Sequence, residues 1–295
     1  MSGLLHPTLL TYMQNFPGDE YFPMKKINTF VKIIIPKTMK NLICFIAFFV
    51  MMPVILLAQI GSDPMKSDTI NKTDSFNQKT GYWVEKVVDQ YNKGYFLNNK
   101  KTGIWITTLQ NNMVQKLENY VNGKKDGISI TIDKKGHLLS QEYYKNAELN
   151  GLSIHYNSFS EMPLSEINYL NGKKNGLSKT YYDNGKIQEE SIYKDDIKTG
   201  LTKWYSKAGK PVAEYIYLNG EFQGLQTTFY DNDTIQSTTM YVKNVENGEY
   251  REYYRNGIIK LQGNYVNGTK DGPWTEFDEL GKAIKVTRYK NGVAK

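Results

Sequence analysis

Histidines, adjacent carboxylates and glycine clusters are the residues that would carry chemistry in this chain, and their placement argues against each. His137 and His155 are the only histidines beyond residue 6, they stand 18 residues apart, and the single cysteine, Cys44, lies far from both. A zinc site needs Cys and His at close spacings, so no metal ligand set is expected. Glu189-Glu190 and Asp195-Asp196 are adjacent carboxylates. Neighbours on a strand point to opposite faces, which prevents either pair from acting as an acid–base dyad. The chain has no Gly-x-x-x-x-Gly-Lys-Ser/Thr loop for a phosphate and no Gly-x-Ser-x-Gly elbow for a nucleophile. Catalytic, cofactor-binding and metal-binding residues are therefore all expected to be none, and the protein is expected not to be an enzyme.

The glycines follow a structural period instead. They recur at Gly81, Gly103, Gly127, Gly151, Gly176, Gly200, Gly224, Gly248 and Gly272, at intervals of 22, 24, 24, 25, 24, 24, 24 and 24. Seven residues before each of the last seven lies Tyr120, Tyr144, Tyr169, Tyr193, Tyr217, Tyr241 or Tyr265. Phe96 takes that place before Gly103, and Tyr289 continues the series. A fixed period of this length marks a repeat array, here over residues 81–295.

Each unit reads as a hairpin. Gly176 to Tyr182 alternates along one strand, Asn184-Gly185 supplies a two-residue turn, and Ile187 to Tyr193 returns. Asn-Gly is the strongest short hairpin signal because both central positions need positive φ. A looser loop, such as 170–175, joins one unit to the next. With the turn at 184–185 the register places Gly176 opposite Tyr193, and the same rule pairs Gly200 with Tyr217 and Gly248 with Tyr265. A ring lying over a strand glycine would explain why both residues recur. The register also sets Lys179 across from Glu190 and Lys203 across from Glu214.

The segments Tyr120-Val-Asn-Gly-Lys-Lys-Asp-Gly127, Tyr169-Leu-Asn-Gly-Lys-Lys-Asn-Gly176 and Tyr265-Val-Asn-Gly-Thr-Lys-Asp-Gly272 resemble the bacterial variant of the MORN (membrane occupation and recognition nexus) repeat. The resemblance spans about residues 81–295. It departs at Asn146-Ala147, Asp195-Asp196 and Lys243-Asn244, where the linking Asn-Gly is lost, and the first unit is degenerate, as suits a terminal cap. Similar bacterial proteins are exported or envelope-associated, some are described as antitoxin components, and eukaryotic relatives serve as scaffolds or membrane-associated modules. The resemblance thus implies a binding role, with an antitoxin-like or immunity-like capture of a toxin among the alternatives.

The expected fold is all-β: an elongated antiparallel meander of about nine hairpins, preceded by an N-terminal apolar helix, with a sheet on the order of 85 Å long at about 4.8 Å per strand. Odd offsets from each glycine collect Leu152, Leu177, Leu201 and Leu225, then Tyr156, Tyr181, Tyr205, Phe229, Tyr253 and Phe277, and this regular face is expected to be the packing side. The opposite face carries Trp83, Trp105, Tyr182, Trp204, Tyr230, Tyr254 and Trp274 less regularly. These seven form the candidate partner-binding face, for a protein or, through ring stacking, for carbohydrate. The last strand, near Lys282 to Tyr289, is an edge that Lys282, Lys285 and Arg288 protect from aggregation.

The N-terminus carries the address. Residues 41–58, NLICFIAFFVMMPVILLA, hold no charge and follow Lys40, the pattern of a secretory signal with cleavage after Ala58. An uncleaved inner-membrane anchor is the alternative, and would be the chain's one membrane contact. Cys44 sits inside the apolar core, so lipidation is not expected. Met24 or Met39 would each make a more ordinary start than Met1. Residues 59–80 are polar and aperiodic and read as a disordered linker. The destination is the periplasm, the outer-membrane surface or the exterior. Of the 37 Lys and Arg against 30 Asp and Glu, five Lys lie in residues 1–58 against Asp19 and Glu20, which leaves an excess of only four positive charges over the rest. That is too dispersed for nucleic acid, and Lys124-Lys125 with Lys173-Lys174 make a weak basic edge for a membrane surface.

Overall fold

The computed structural model describes residues 70–295. The apolar segment 41–58 and most of the expected linker lie outside the described residues. Nearly every described residue is in a strand or a tight turn, from Lys72–Thr73 to Val293–Ala294, and successive strands pair antiparallel along the chain. Glu148–Leu149 and Glu221–Phe222 lead into Gly151–Tyr156 and Gly224–Phe229 against the same neighbour. The result is one open sheet of successive hairpins. Strands begin before Gly81, at Lys72–Thr73 and Lys79–Val87, which corrects the expected linker boundary at residue 80. Asn71 explains the early start: its side chain accepts from Val84 N–H at 2.8 Å and donates to Val84 C=O at 3.2 Å, tying the short strand over the first full one.

All nine glycines pair with the aromatic residue that the spacing assigns them, from Gly81 with Phe96 and Gly103 with Tyr120 to Gly272 with Tyr289. Gly176 faces Tyr193, Gly200 faces Tyr217 and Gly248 faces Tyr265. The turns that produce this register are not those expected. At 182–186, Tyr182 N–H donates to Lys186 C=O at 2.8 Å and Gly185 N–H to Tyr182 C=O at 2.9 Å, a three-residue loop in which only Gly185 has positive φ, +77°. Tyr181 then faces Ile187 while Thr180 faces Glu189, so Gln188 is an unpaired bulge. Loop and bulge together shift the strands to the register that a two-residue turn would have given. The two-residue turns lie between units instead. Asn171-Gly172, Asn219-Gly220 and Asn267-Gly268 have positive φ at both positions, the type I′ geometry.

Loop lengths also account for the irregular intervals. The first unit turns at Val88-Asp89 with Val87 facing Gln90 and has no bulge, two residues fewer than the rest, hence 22. The loop closed by Asn157 N–H to Met162 C=O holds one extra residue, hence 25.

The type I′ turns stack. Gly123 N–H donates to Lys101 C=O, Gly172 to Leu149, Gly220 to Lys198 and Gly268 to Glu246, each at 2.8–2.9 Å, so every linking turn is bonded to the strand of the preceding one. Asn146-Ala147, Asp195-Asp196 and Lys243-Asn244 adopt the same conformation without glycine, and Ala147, Asp196 and Asn244 N–H all keep the stacking bond. A hairpin alone is marginal in water; this column and the strand ladder make each unit depend on its neighbours.

The repeat glycine is required by backbone, not by a ring. All nine have φ between +65° and +122°. A β-carbon on Gly81, Gly103 or Gly272 would meet nothing within 4 Å, and on Gly200 only an Ile192 methyl. On the side facing the preceding unit the register slips at Gly103, Gly200 and Gly272, at Gly200 between Glu190 and Ile192, and the left-handed glycine absorbs the slip. The expected seating of the tyrosine on the glycine is corrected accordingly.

Beside the repeat glycines the buried face is the reverse of the expectation, whereas Tyr156, Tyr181, Tyr205, Phe229, Tyr253 and Phe277, farther along the odd face, are half-buried. Trp105, Ser129, Ser153, Ser178, Thr202 and Trp274, all two residues after a repeat glycine, are buried, whereas Leu177, Leu201 and Leu225 on the odd face are exposed.

Candidate functional site

The seven candidate partner-binding residues fall into two structural roles. Trp83, Trp105, Trp204 and Trp274 stand on the outgoing strands of their units. Trp105 and Trp274 are 2 % exposed, and Trp83 and Trp204 are half-buried. Phe96 packs edge-on against Trp105 at 4.9 Å, Trp204 meets Tyr215 at 4.9 Å, and Trp274 meets Tyr265 at 5.1 Å and stacks on Tyr250 at 5.5 Å. A lysine ammonium covers each indole: Lys79 over Trp83 at 4.5 Å, Lys101 over Trp105 at 4.0 Å, Lys198 over Trp204 at 5.3 Å and Lys270 over Trp274 at 4.1 Å. The indole nitrogens are used as well. Trp105 donates to Tyr95 C=O at 3.1 Å and Trp274 to Asn264 C=O at 3.3 Å, carbonyls beside the register slips. Gln226 does the same for Ile216, accepting from its N–H at 2.9 Å and donating to its C=O at 3.1 Å.

Tyr182, Tyr230 and Tyr254 belong to the hairpin tips. Their hydroxyls donate to the carbonyls of Tyr205, Tyr253 and Phe277 in the next unit at 2.8, 2.7 and 2.8 Å. Asn184, Asn232 and Asn256 add side-chain bonds to Lys207, Arg255 and Glu279 one unit on. All seven rings make packing or clamping contacts within the array, and the two most buried, Trp105 and Trp274, have no face open to a sugar or a partner. Sequence reasoning identified the residues but not these contacts, and burial removes Trp105 and Trp274 from an open face.

The ionisable groups are consumed similarly. Glu189 binds Lys198 at 2.5 Å and accepts from Ser191, whereas Glu190 binds Lys179 at 3.2 Å on the other face. Burial works to raise the Glu189 carboxyl, but the bonds from Lys198 and Ser191 outweigh it and hold it below its ordinary value. Lys203 and Glu214 pair as expected, at 3.1 Å. Asp196 accepts from Lys174 N–H at 2.7 Å, which puts it in turn geometry. His137 Nδ1 lies 3.0 Å from Asp133 within one loop. Ser153 Oγ and Glu142 both approach His155, at 3.4 and 3.6 Å, but on the same nitrogen, Nε2. A nucleophile relay needs the serine and the carboxylate on opposite nitrogens, so this cluster cannot run one. Tyr120 and Tyr144 are pushed up to about 12, first by burial and then by Glu118 and Glu142, which accept from their hydroxyls. No group of three or more His, Cys, Asp and Glu is arranged for a metal ion among the described residues.

What remains open is the odd face. Leu177 faces Ile192, Leu201 faces Ile216 and Leu225 faces Met240, a row of three aliphatic rungs. Five of the six are more than one-third exposed. Beside the linking turns, Ile197, Leu218, Val242 and Val245 belong to a second exposed row on the same face.

Residues 174–195 and 246–267 match the MORN repeat variant. Each match spans one unit, from the end of a linking turn through the Gly176–Tyr193 or Gly248–Tyr265 pair. The same glycine–aromatic pairing repeats in all nine units, so the two matches sample an array with one geometry. No curated protein matches the chain.

Proposed function

We propose that this protein is an exported, non-enzymatic binding scaffold of a bacterial cell envelope, and that it binds other protein through the aliphatic odd face of its sheet. The observation that supports the reading is the exposed double row centred on Leu201 and Ile216. Monomeric soluble proteins rarely leave contiguous apolar patches larger than a few hundred Å² uncovered, and larger ones mark interaction sites. The ionisable side chains near it are tied into pairs, which suits contact and leaves little for catalysis. Export rests on the uncharged stretch 41–58 behind Lys40.

A photo-crosslinking side chain at position 225 tests the surface in cells. Discrete protein adducts from 225, and none from position 155 on the other face, are expected. Equal labelling from both positions removes the surface from consideration. Fractionation tests export: a product confined to the cytosol defeats it.

A further inference from the structure

We infer that the aliphatic odd face takes a second copy of this chain, the two sheets packing face to face about a two-fold axis near the Leu201–Ile216 pair. The inference deepens the scaffold reading and rests on it.

Three observations select a like copy over an unrelated partner. The first is area. Leu177, Ile192, Leu201, Ile216 and Leu225 are 44, 41, 38, 39 and 44 % exposed, and four aliphatic neighbours in the second row are exposed to a similar extent. Together these leave on the order of 700 Å² of apolar surface open, close to the roughly 800 Å² that each partner of a stable pair contributes. The second is shape. The row crosses six successive strands, about 24 Å at the usual strand spacing, with Leu on each outgoing strand and Ile or Met on each return strand. A two-fold axis through the middle rung lays Leu177–Ile192 of one copy on Leu225–Met240 of the other, and the same contact is made twice. Stacked sheets at about 10 Å interdigitate such rungs.

The third is charge. The row is bordered by Lys179–Glu190 and Lys203–Glu214, each closed within its own face at 3.2 and 3.1 Å. On this hairpin-tip side a second copy therefore meets a neutral border. The border continues as Thr227–Thr238, which is uncharged. Beyond these three rungs the aliphatic cross-strand pairs give way at both ends, Leu152 facing Asn168 and Glu249 facing Asn264, while the second row runs on through Leu170 and Val266; the rungs therefore place the axis.

Sedimentation velocity on the full-length chain tests this. A dimer at micromolar concentration is expected, and Leu201→Lys with Ile216→Glu should weaken it about 100-fold or more while leaving the β-sheet circular dichroism unchanged. A disulfide test does not depend on that variant folding. In a Cys44→Ser background, Leu201→Cys is expected to cross-link two copies on oxidation and His155→Cys is not. A monomeric wild-type chain, a dimer indifferent to the double substitution, or equal cross-linking from both cysteines overturns the inference. A monomer that still labels a different protein from position 225 overturns self-association alone; absence of both sinks the scaffold reading too.

Discussion

The indole of Trp105 lies across Gly94 of the neighbouring strand, so close that a β-carbon on that glycine would stand 2.5 Å from the ring. Trp274 covers Gly263 in the same way at the other end of the array. Both glycines sit where the ladder between units slips, between Lys93 and Tyr95 and between Gln262 and Asn264. A ring seated on bare backbone does hold this array, at Gly94 and Gly263 and not at the nine periodic glycines.

Two kinds of glycine should therefore respond differently to alanine. At Gly94 and Gly263 the methyl group collides with an indole that has no room to move, and a cost of about 1–3 kcal/mol is expected. At Gly272 the methyl meets open space, and the cost comes from φ of +74°, about 1–2 kcal/mol. Denaturant midpoints measure both. The distinguishing readout is rescue: Trp274→Leu should recover part of the Gly263→Ala loss and none of the Gly272→Ala loss.

Linking turns that lack glycine are strained positions open to improvement. Ala147 holds φ of +73° and Asp196 φ of +68° in the place where other units have glycine. Ala147→Gly relieves the left-handed conformation, offset in part by the extra freedom glycine has when unfolded, for a net gain of about 0.5–1 kcal/mol. The reverse change, Gly172→Ala, should lose a similar amount at φ of +78°. A higher midpoint for Ala147→Gly in urea is the check, and a lower one contradicts the turn assignment.

The nine glycine–aromatic pairs were legible because a strand period of two and a fixed repeat leave one register open. The turn type was not. A three-residue loop plus a bulge at Gln188 gives the same pairing as a two-residue turn at Asn184-Gly185, so register alone cannot separate them. The buried face was misassigned for a physical reason too. Alternation along a strand shows that two faces differ without showing which is covered, and regular leucines at 177, 201 and 225 looked more core-like than a column reading Trp, Ser, Thr and Gln. That column varies because its members share space across the sheet. Trp83 faces Gly94 and Trp105 covers it, whereas Ser178 faces Ser191. A glycine between two tryptophans was the signal in the sequence that would have found the packed face.

Tryptophan emission tests that packed face directly. Trp105 and Trp274 are 2 % exposed, whereas Trp83 and Trp204 are half-buried. Quenching by acrylamide should be biphasic, with Trp83→Phe and Trp204→Phe removing the quenchable part. Uniform quenching of all four would place the indoles on an open surface, as a carbohydrate-stacking face requires.

Tyrosine ionisation and stability are linked in the alkaline range. Burial, reinforced by Glu118, Glu142 and Glu252, pushes Tyr120, Tyr144 and Tyr250 up to about 12, above the 10.0 of an unfolded tyrosine. A raised folded value means that the folded state holds the proton more tightly. The stabilisation is then full below pH 10 and is lost as pH rises through about 12. Glu118 is lowered, because Lys125 and the Tyr120 hydroxyl outweigh its burial, so its contribution is present above pH 4.5 and lost as pH falls below that. Absorbance at 295 nm should show these tyrosines titrating together with loss of sheet structure. Glu118→Gln should bring Tyr120 down toward 10, and tyrosines that all ionise near pH 10 in a chain that stays folded would show that the rings are solvated.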